Sequence, residues 1–261
     1  MDSATQTLNL RVDALRNNWA GPFSMSINWG QCLAVTGASG SGKSVFLRML
    51  ADMDAADGAV LLGDVDRRAM SAPQWRQKVM LVPAQAGWWA PTVAEHFHDK
   101  NKTAAVALAR QLHLPDDIFG RHILRLSSGE RQRLALIRAI VTQPAVLLLD
   151  EPTSSLDQES VDAVESLLSA ELERGLILVL VTHDLAQAER MGNQTVHIKD
   201  GKVVAALGLL PAALATGVGT DTQRPFALVI VSGLFTRLLI SIFLMPALYA
   251  LVARKDDRLE V

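Results

Sequence analysis

Eight consecutive residues, Gly37-Ala38-Ser39-Gly40-Ser41-Gly42-Lys43-Ser44, carry the clearest chemistry in this sequence. The pattern is G-x-x-x-x-G-K-S, and glycines at these spacings let a backbone curl until successive N–H groups converge on phosphate oxygens. Lys43 would reach the β- and γ-phosphates of a nucleotide, and the Ser44 hydroxyl would ligate Mg²⁺. Two acids, Asp150-Glu151, follow the apolar run Val146-Leu147-Leu148-Leu149. A carboxylate beside such a phosphate cradle completes the Mg²⁺ sphere, which assigns Asp150 to the metal. The adjacent Glu151 is placed to act as the general base on an attacking water. A third apolar run, Leu176 to Val181, ends in Thr182-His183-Asp184. His183 could meet the γ-phosphate or the water; taken alone, a histidine there more often serves a structural role.

These groups need elements to hold them. Cys32-Leu33-Ala34-Val35-Thr36 predicts a buried strand that enters a tight turn at Gly37, and Val45-Phe46-Leu47-Arg48-Met49-Leu50 has helical spacing. The helix after the cradle adds the positive end of its dipole to the phosphate site. Strands alternating with helices, with the chemistry at the strands' C-terminal ends, predict an α/β fold with a largely parallel sheet.

Further along, Leu126-Ser127-Ser128-Gly129-Glu130-Arg131-Gln132-Arg133 resembles the signature motif peculiar to ATP-binding cassette (ABC) proteins. Leu147 to Asp157, reading Leu-Leu-Leu-Asp-Glu-Pro-Thr-Ser-Ser-Leu-Asp, is similar to that family's Walker B motif and D-loop. Val181-Thr182-His183-Asp184 resembles its H-switch, and Gln85, in Leu81-Val82-Pro83-Ala84-Gln85, stands where the family has its Q-loop glutamine. The resemblance spans about residues 7–203. It implies a RecA-like P-loop core over residues 1–203 with a small helical subdomain at about 86–140. It also implies ATP and Mg²⁺ as ligands, with Gln85 joining Ser44 and Asp150 around the metal and Glu151, His183, Gln85 and Lys43 acting in hydrolysis. The texture around Gln85 looks most like the small ATPases associated with metal export.

The same resemblance implies a head-to-tail dimer, a homodimer in the simplest case, in which each ATP is held by one subunit's P-loop and capped by Ser127 and Gly129 of the other. The residues support this independently: the Ser127 hydroxyl and the N–H groups of a helix beginning near Glu130 form an anion site with nothing of its own to bind. Asp157 would couple the paired sites. A separate integral membrane permease would complete the machine, with this subunit on the cytoplasmic face of the membrane.

Some residues depart from the pattern or stand outside it. Ser128 replaces the usual signature glycine, a small change with Ser127, Gly129 and Glu130 around it. Trp19 is the candidate to stack on adenine, or else an ordinary packed tryptophan. Trp88 and Trp89 lie where the family receives the coupling helix of its permease; they could anchor that interface or pack within the helical subdomain. His96 and His98 have no neighbours that complete a metal site.

Bulk properties narrow the function classes. The net charge of −2 lacks the basic surplus of a nucleic-acid-binding footprint. The single cysteine, Cys32, permits no internal disulfide and reads as a small buried hydrophobe. Met1-Asp2-Ser3-Ala4-Thr5 has no basic stretch leading into an apolar core, so no signal peptide is expected.

After Lys202 the composition turns strongly apolar, and residues 204–261 read as a hydrophobic, helical tail. Thr222-Gln223-Arg224-Pro225 and Met245-Pro246-Ala247-Leu248-Tyr249 resemble the last stretch of a resistance-nodulation-division efflux pump. Residues 226–252 are long enough to span ~30 Å of hydrocarbon, with Arg237 as their one charge. Arg237 costs ~3 kcal/mol on insertion scales, while the many Leu, Ile, Val and Phe return ~0.3–0.6 each, so insertion wins. Arg254, Lys255 and Arg258 beyond it oppose the positive-inside tendency, leaving a possible membrane anchor without a settled topology. A transporter ATPase is the leading function; a soluble ABC protein of translation or repair is a second class, and a non-functional chimera a third.

Overall fold

The computed structural model describes residues 9–206. The candidate membrane segment 226–252 and the rest of the tail lie outside the described residues. Among the described residues, no helix is long and apolar enough to cross a membrane.

The elements run, in chain order, β1 (Asn9–Arg16), β2 (Phe23–Asn28), β3 (Cys32–Thr36), α1 (Lys43–Leu50), β4 (Asp57–Leu62), β5 (Val65–Asp66), α2 (Ala72–Lys78) and β6 (Val79–Val82). They continue with α3 (Lys102–Gln111), α4 (Ser128–Ile140), β7 (Val146–Asp150), α5 (Gln158–Glu173), β8 (Ile177–Val181), α6 (Leu185–Met191), β9 (Gln194–Lys199) and β10 (Lys202–Ala206). A six-stranded sheet has the order β10-β9-β3-β8-β7-β6, and a four-stranded sheet the order β2-β1-β4-β5. In the larger sheet β3 pairs in parallel with β8 and β9, and β7 in parallel with β6 and β8. The predicted parallel α/β core is therefore present. β10 turns back antiparallel on β9, with Lys202 opposite Lys199 and Ala206 opposite Val196. The sheet thus continues three residues beyond 203, through the start of the apolar stretch.

Central strands buried on both faces have no polar alternation, and their side chains sort by parity. Leu147 and Leu149 of β7 join Leu178 and Leu180 of β8 in a core beneath the helices, with Leu134 and Ile137 of α4 and Leu167 and Leu168 of α5. Val146, Leu148, Ile177, Val179 and Val181 face the other way, against Phe46, Leu47 and Leu50 of α1 and Leu10, Val12 and Phe23 of the antiparallel sheet. Helix α1 is thus clamped between two sheets. Its C-terminal carbonyls are satisfied by side chains: buried Arg67 donates to Met49 O at 2.9 Å, and the Trp75 indole to Leu50 O at 2.9 Å. A cation at that end also complements the helix dipole. The result is a fixed helix whose N-terminus opens on the Gly-rich turn. Cys32 lies fully buried at the start of β3, and burial pushes its thiol up to about 12.

Candidate nucleotide site

The Gly-rich turn joins β3 to α1, and two of its glycines are required by close approach. Gly37 has φ +148°, and a Cβ there would run into the carbonyl oxygen of Ile198. Gly42, the N-cap of α1, has φ +104° and lies 3.2 Å, at its Cβ direction, from Gly201 Cα. The turn between β9 and β10 braces this loop: Gly201 N–H donates to Ser41 O at 2.8 Å, and Gly21 N–H donates to Gly201 O at 2.7 Å. That stitch brings the segment carrying Trp19 against the loop, where its side chain is 82% exposed. It is not a packed tryptophan.

Lys43 is buried, its ammonium donating to Gly37 O at 2.8 Å and Ala38 O at 3.0 Å. Those carbonyls hold the cation inside the curl of backbone that would face a phosphate. The buried Ser41 hydroxyl has no hydrogen-bond partner among the described residues. Ser44 Oγ donates to Asp150 Oδ2 at 2.7 Å, so the hydroxyl and the carboxylate assigned to a metal already touch across 106 residues of chain. Burial, and to a lesser degree the neighbouring Glu151 charge, raises the Asp150 carboxyl above its ordinary range, against the opposing bond from Ser44. A carboxylate short of solvation next to a hydroxyl is a site that favours a cation.

Glu151 follows at the end of β7 with φ 50°, a left-handed backbone rare for a residue of this kind. Its N–H donates to Val181 O at 2.9 Å, and its Oε2 lies 3.5 Å from His183 Nδ1, with the His183 side chain 66% exposed. Neighbouring parallel strands therefore place Asp150, Glu151 and His183 along one edge of the sheet, beside the loop after β3. Gln85 is exposed at the end of the segment following β6; among the described residues no hydrogen bond joins it to Ser44 or Asp150. It lines a cleft of about 460 Å³ with Ser128, Gln132, Pro152 and Ser155.

The signature segment departs from the sequence expectation. Helix α4 begins at Ser128, with Ser127 as its N-cap: Ser127 Oγ accepts from Glu130 N–H at 3.1 Å, and the Glu130 carboxylate accepts from Ser127 N–H at 2.8 Å. The hydroxyl is thus not without a partner, because a reciprocal capping box occupies its acceptor side. What it leaves outward are the hydroxyl proton and the first-turn N–H groups of Ser128 and Gly129, which have no intrahelical acceptor. Arg121 Nη1 pairs with the Glu130 carboxylate at 3.2 Å, offsetting a negative charge beside a would-be anion site. Ser128 is exposed, so its side chain costs nothing, whereas a Cβ on Gly129 would stand 3.0 Å from Leu156 Cδ2 and 3.1 Å from Ser155 O. Asp157 caps α5 by accepting from Ser160 N–H at 2.8 Å, and that bond above all holds its carboxyl below the usual range.

The two tryptophans divide between their two readings. Trp88 packs in the helical subdomain, edge-on to His96 at 4.9 Å, with the Arg138 guanidinium 4.5 Å from its ring centre. Trp89 is 73% exposed, with Arg138 4.8 Å from its ring. His96 is buried as a local brace, its Nε2 accepting from the N–H groups of Trp89 and Ala90 and its Nδ1 bonded to Thr92 O at 2.9 Å. Sequence reasoning missed Arg138, Arg121 and the role of Gln132, whose Nε2 donates to Glu151 O at 2.6 Å.

Comparison with known proteins follows the same lines. Residues 21–154 match the family model described as ABC transporter, and residues 201–253 match one described as the AcrB/AcrD/AcrF family. The chain is 31% identical over 228 residues to the vitamin B12 import ATP-binding protein BtuD of Escherichia coli, covering 81% of this chain and 92% of that protein. It is 32% identical over 210 residues to a probable anion import ATP-binding protein of Haloferax volcanii, covering 70% of this chain and 72% of that one. Its fold is similar to the dimeric post-hydrolysis state of the ATP-binding cassette MJ0796 bound to ADP and Pi, with a TM-score of 0.66 and 21% identity over 76% of this chain and 97% of that one. With a P-loop, paired acids and signature helix in place and relatives matched over most of their length, this chain belongs to the ABC transporter family as an ATP-binding, ATP-hydrolysing subunit.

Proposed function

We propose that two copies of this chain close head to tail around two ATP molecules and use their hydrolysis to drive a separate membrane permease from the cytoplasmic side. The observation that carries this reading is the meeting of Ser44 and Asp150 at 2.7 Å beneath the Gly37–Lys43 curl, with Glu151 and His183 on the adjoining strand ends. In each site the curl and Lys43 bind the phosphates, and exposed Trp19 stacks on the base. Ser127, Ser128 and Gly129 of the other copy, backed by Glu130, complete the phosphate shell. Asp157 lies close to that junction. Ser44, Asp150 and Gln85 would hold Mg²⁺, which when bound neutralises charge on the β- and γ-phosphates. Glu151 takes a proton from water as the water oxygen bonds to the γ-phosphorus; the bond to the bridging oxygen breaks, giving ADP and phosphate. His183 orients the water and the Glu151 carboxylate.

Trp89 and Arg138 offer an aromatic-cationic anchor for the permease. The vitamin B12 and anion relatives are import subunits by name, and the metal-export texture around Gln85 is the only support for that narrower kinship. The chimera reading is not favoured, because Lys43, Ser44, Asp150 and Glu151 form an intact cluster and the relatives of the cassette are transporter ATP-binding subunits by name. A decisive test is Mg²⁺-dependent ATP hydrolysis by the wild type and Glu151→Gln. Wild-type turnover, its loss by roughly 10³-fold in the variant, and accumulation of an ATP-bound dimer are expected. A folded wild type that neither binds nor hydrolyses ATP sinks the reading.

A further inference from the structure

The Glu151 peptide is pinned from two directions. Its N–H is bonded to Val181 O at 2.9 Å, on the strand that leads to His183. Its carbonyl accepts from Gln132 Nε2 at 2.6 Å, and from Ser154 Oγ at 3.1 Å and N–H at 3.3 Å. Ser154 is a local partner three residues on. Gln132 is different, because it sits on α4 one turn past Ser128 and Gly129, so it shares their helix face. The left-handed φ of 50° at Glu151 is a strained conformation that persists only where the surroundings impose it. The other amide atom, Gln132 Oε1, is buried and has no hydrogen-bond partner among the described residues. A buried acceptor left unmade costs free energy, so the side chain is retained here for its bonded end. On the same face, a Cβ on Gly129 would stand 3.0 Å from Leu156 Cδ2 and 3.1 Å from Ser155 O, so the helix also comes close to the loop that follows Glu151. Helix α4 therefore approaches the Glu151 segment at two points, one of them a polar bond.

We propose that Gln132 is a positioning residue that transmits the state of its own signature turn to its own general base. The inference rests on the head-to-tail reading. In that arrangement the start of α4 grips the ATP held by the partner, while Gln132 on the same helix fixes the peptide of the carboxylate serving the ATP held by its own chain. Occupation of one site then sets the backbone of the base in the other. The two hydrolyses are coupled within a subunit through a single amide, and Gln132 itself touches no nucleotide.

The test uses the full chain and two near-isosteric variants that lack the donor, Gln132→Met and Gln132→Glu. Equilibrium ATP binding and steady-state hydrolysis over a range of ATP concentrations are measured for each. The expected result is a kcat lower by roughly 10²-fold, KM and ATP affinity kept within about twofold, and loss of the wild type's cooperativity in ATP. Either variant keeping wild-type kcat and cooperativity overturns the assignment, as does a lowered kcat with cooperativity intact. Loss of ATP binding together with kcat assigns Gln132 a structural role and also overturns it. Non-cooperative hydrolysis by the wild type removes the coupling. A wild type without any hydrolysis strikes instead at the function proposed above.

Discussion

The strand-end site and the signature turn are built in opposite ways. At the strand ends each group leans on another: Lys43 on two loop carbonyls, Ser44 on Asp150, and Glu151 on Val181 and Gln132. Lys43 is buried and Asp150 and Glu151 are half-buried, while Ser44 and His183 stay exposed, and burial raises the Asp150 carboxyl above its ordinary range. The signature turn is self-contained. Its capping box satisfies Ser127 and Glu130 internally, Arg121 balances the acid, and Ser127 and Ser128 stand exposed. One region carries strain at the left-handed Glu151 and a desolvated Asp150, and the other is relaxed and presents donors outward. Such a pair makes sense when each completes the other in a second copy of the chain.

Asp150→Asn tests the strained side most severely. It should lower Mg²⁺-dependent hydrolysis by roughly 10³-fold, while raising the thermal stability of the nucleotide-free chain at neutral pH. The sign follows from linkage. A carboxyl whose folded pKa is raised contributes stability below its unfolded value and loses it as pH rises through the folded value, so at neutral pH the ionised group is a burden that Asn removes. The stabilisation should shrink as pH falls through the carboxylate range. Thermal melts from acid to neutral pH check this, and a destabilised variant at neutral pH would contradict it.

Trp88 and Trp89 give a sharper contrast of intermediate size. Trp88→Ala should cost about 3 kcal/mol of unfolding free energy, since its ring, unlike that of Trp89, is partly buried against the hydrophobic core beneath the helices. Trp89→Ala should stay within ~0.5 kcal/mol and act on permease binding. Denaturant titration separates them, and equal costs would erase the division. The smallest effect is expected at the relaxed side. Ser127→Ala removes a helix cap worth ~1 kcal/mol, so the isolated chain should remain folded, with ATP-driven dimerisation, followed by size-exclusion chromatography, reduced well beyond that loss.

The strands that carry the candidate site were legible because they are buried on both faces and therefore uninterrupted in sequence: Cys32–Thr36 and the run from Val146 read directly as the strands they form. The four-stranded antiparallel sheet was not, because β1 alternates buried Leu10 and Val12 with exposed Arg11 and Asp13, so no continuous apolar run marks it. The capping box was present in the letters Ser127-x-x-Glu130, yet the motif drew attention to the hydroxyl's ligand rather than to its own helix. Gln132 was hidden for another reason: its partner lies 19 residues away and is a backbone carbonyl, which no residue pattern reveals. The apolar shift after Lys202 concealed a strand, since Val203 pairs with Ile198 and packs against the core.

That strand has a practical consequence for anyone cutting the chain. β9 has β3 on one side and β10 on the other. A fragment ending at residue 203 would leave Val196 and His197 without the partners that Ala206 and Ala205 provide. Open backbone donors and acceptors along a sheet margin recruit other chains, so such a fragment would tend to associate and precipitate for a reason unrelated to nucleotide chemistry. Ending it after Ala206 keeps β9 paired along its length, and a comparison of the two fragments by light scattering would separate faulty trimming from faulty folding.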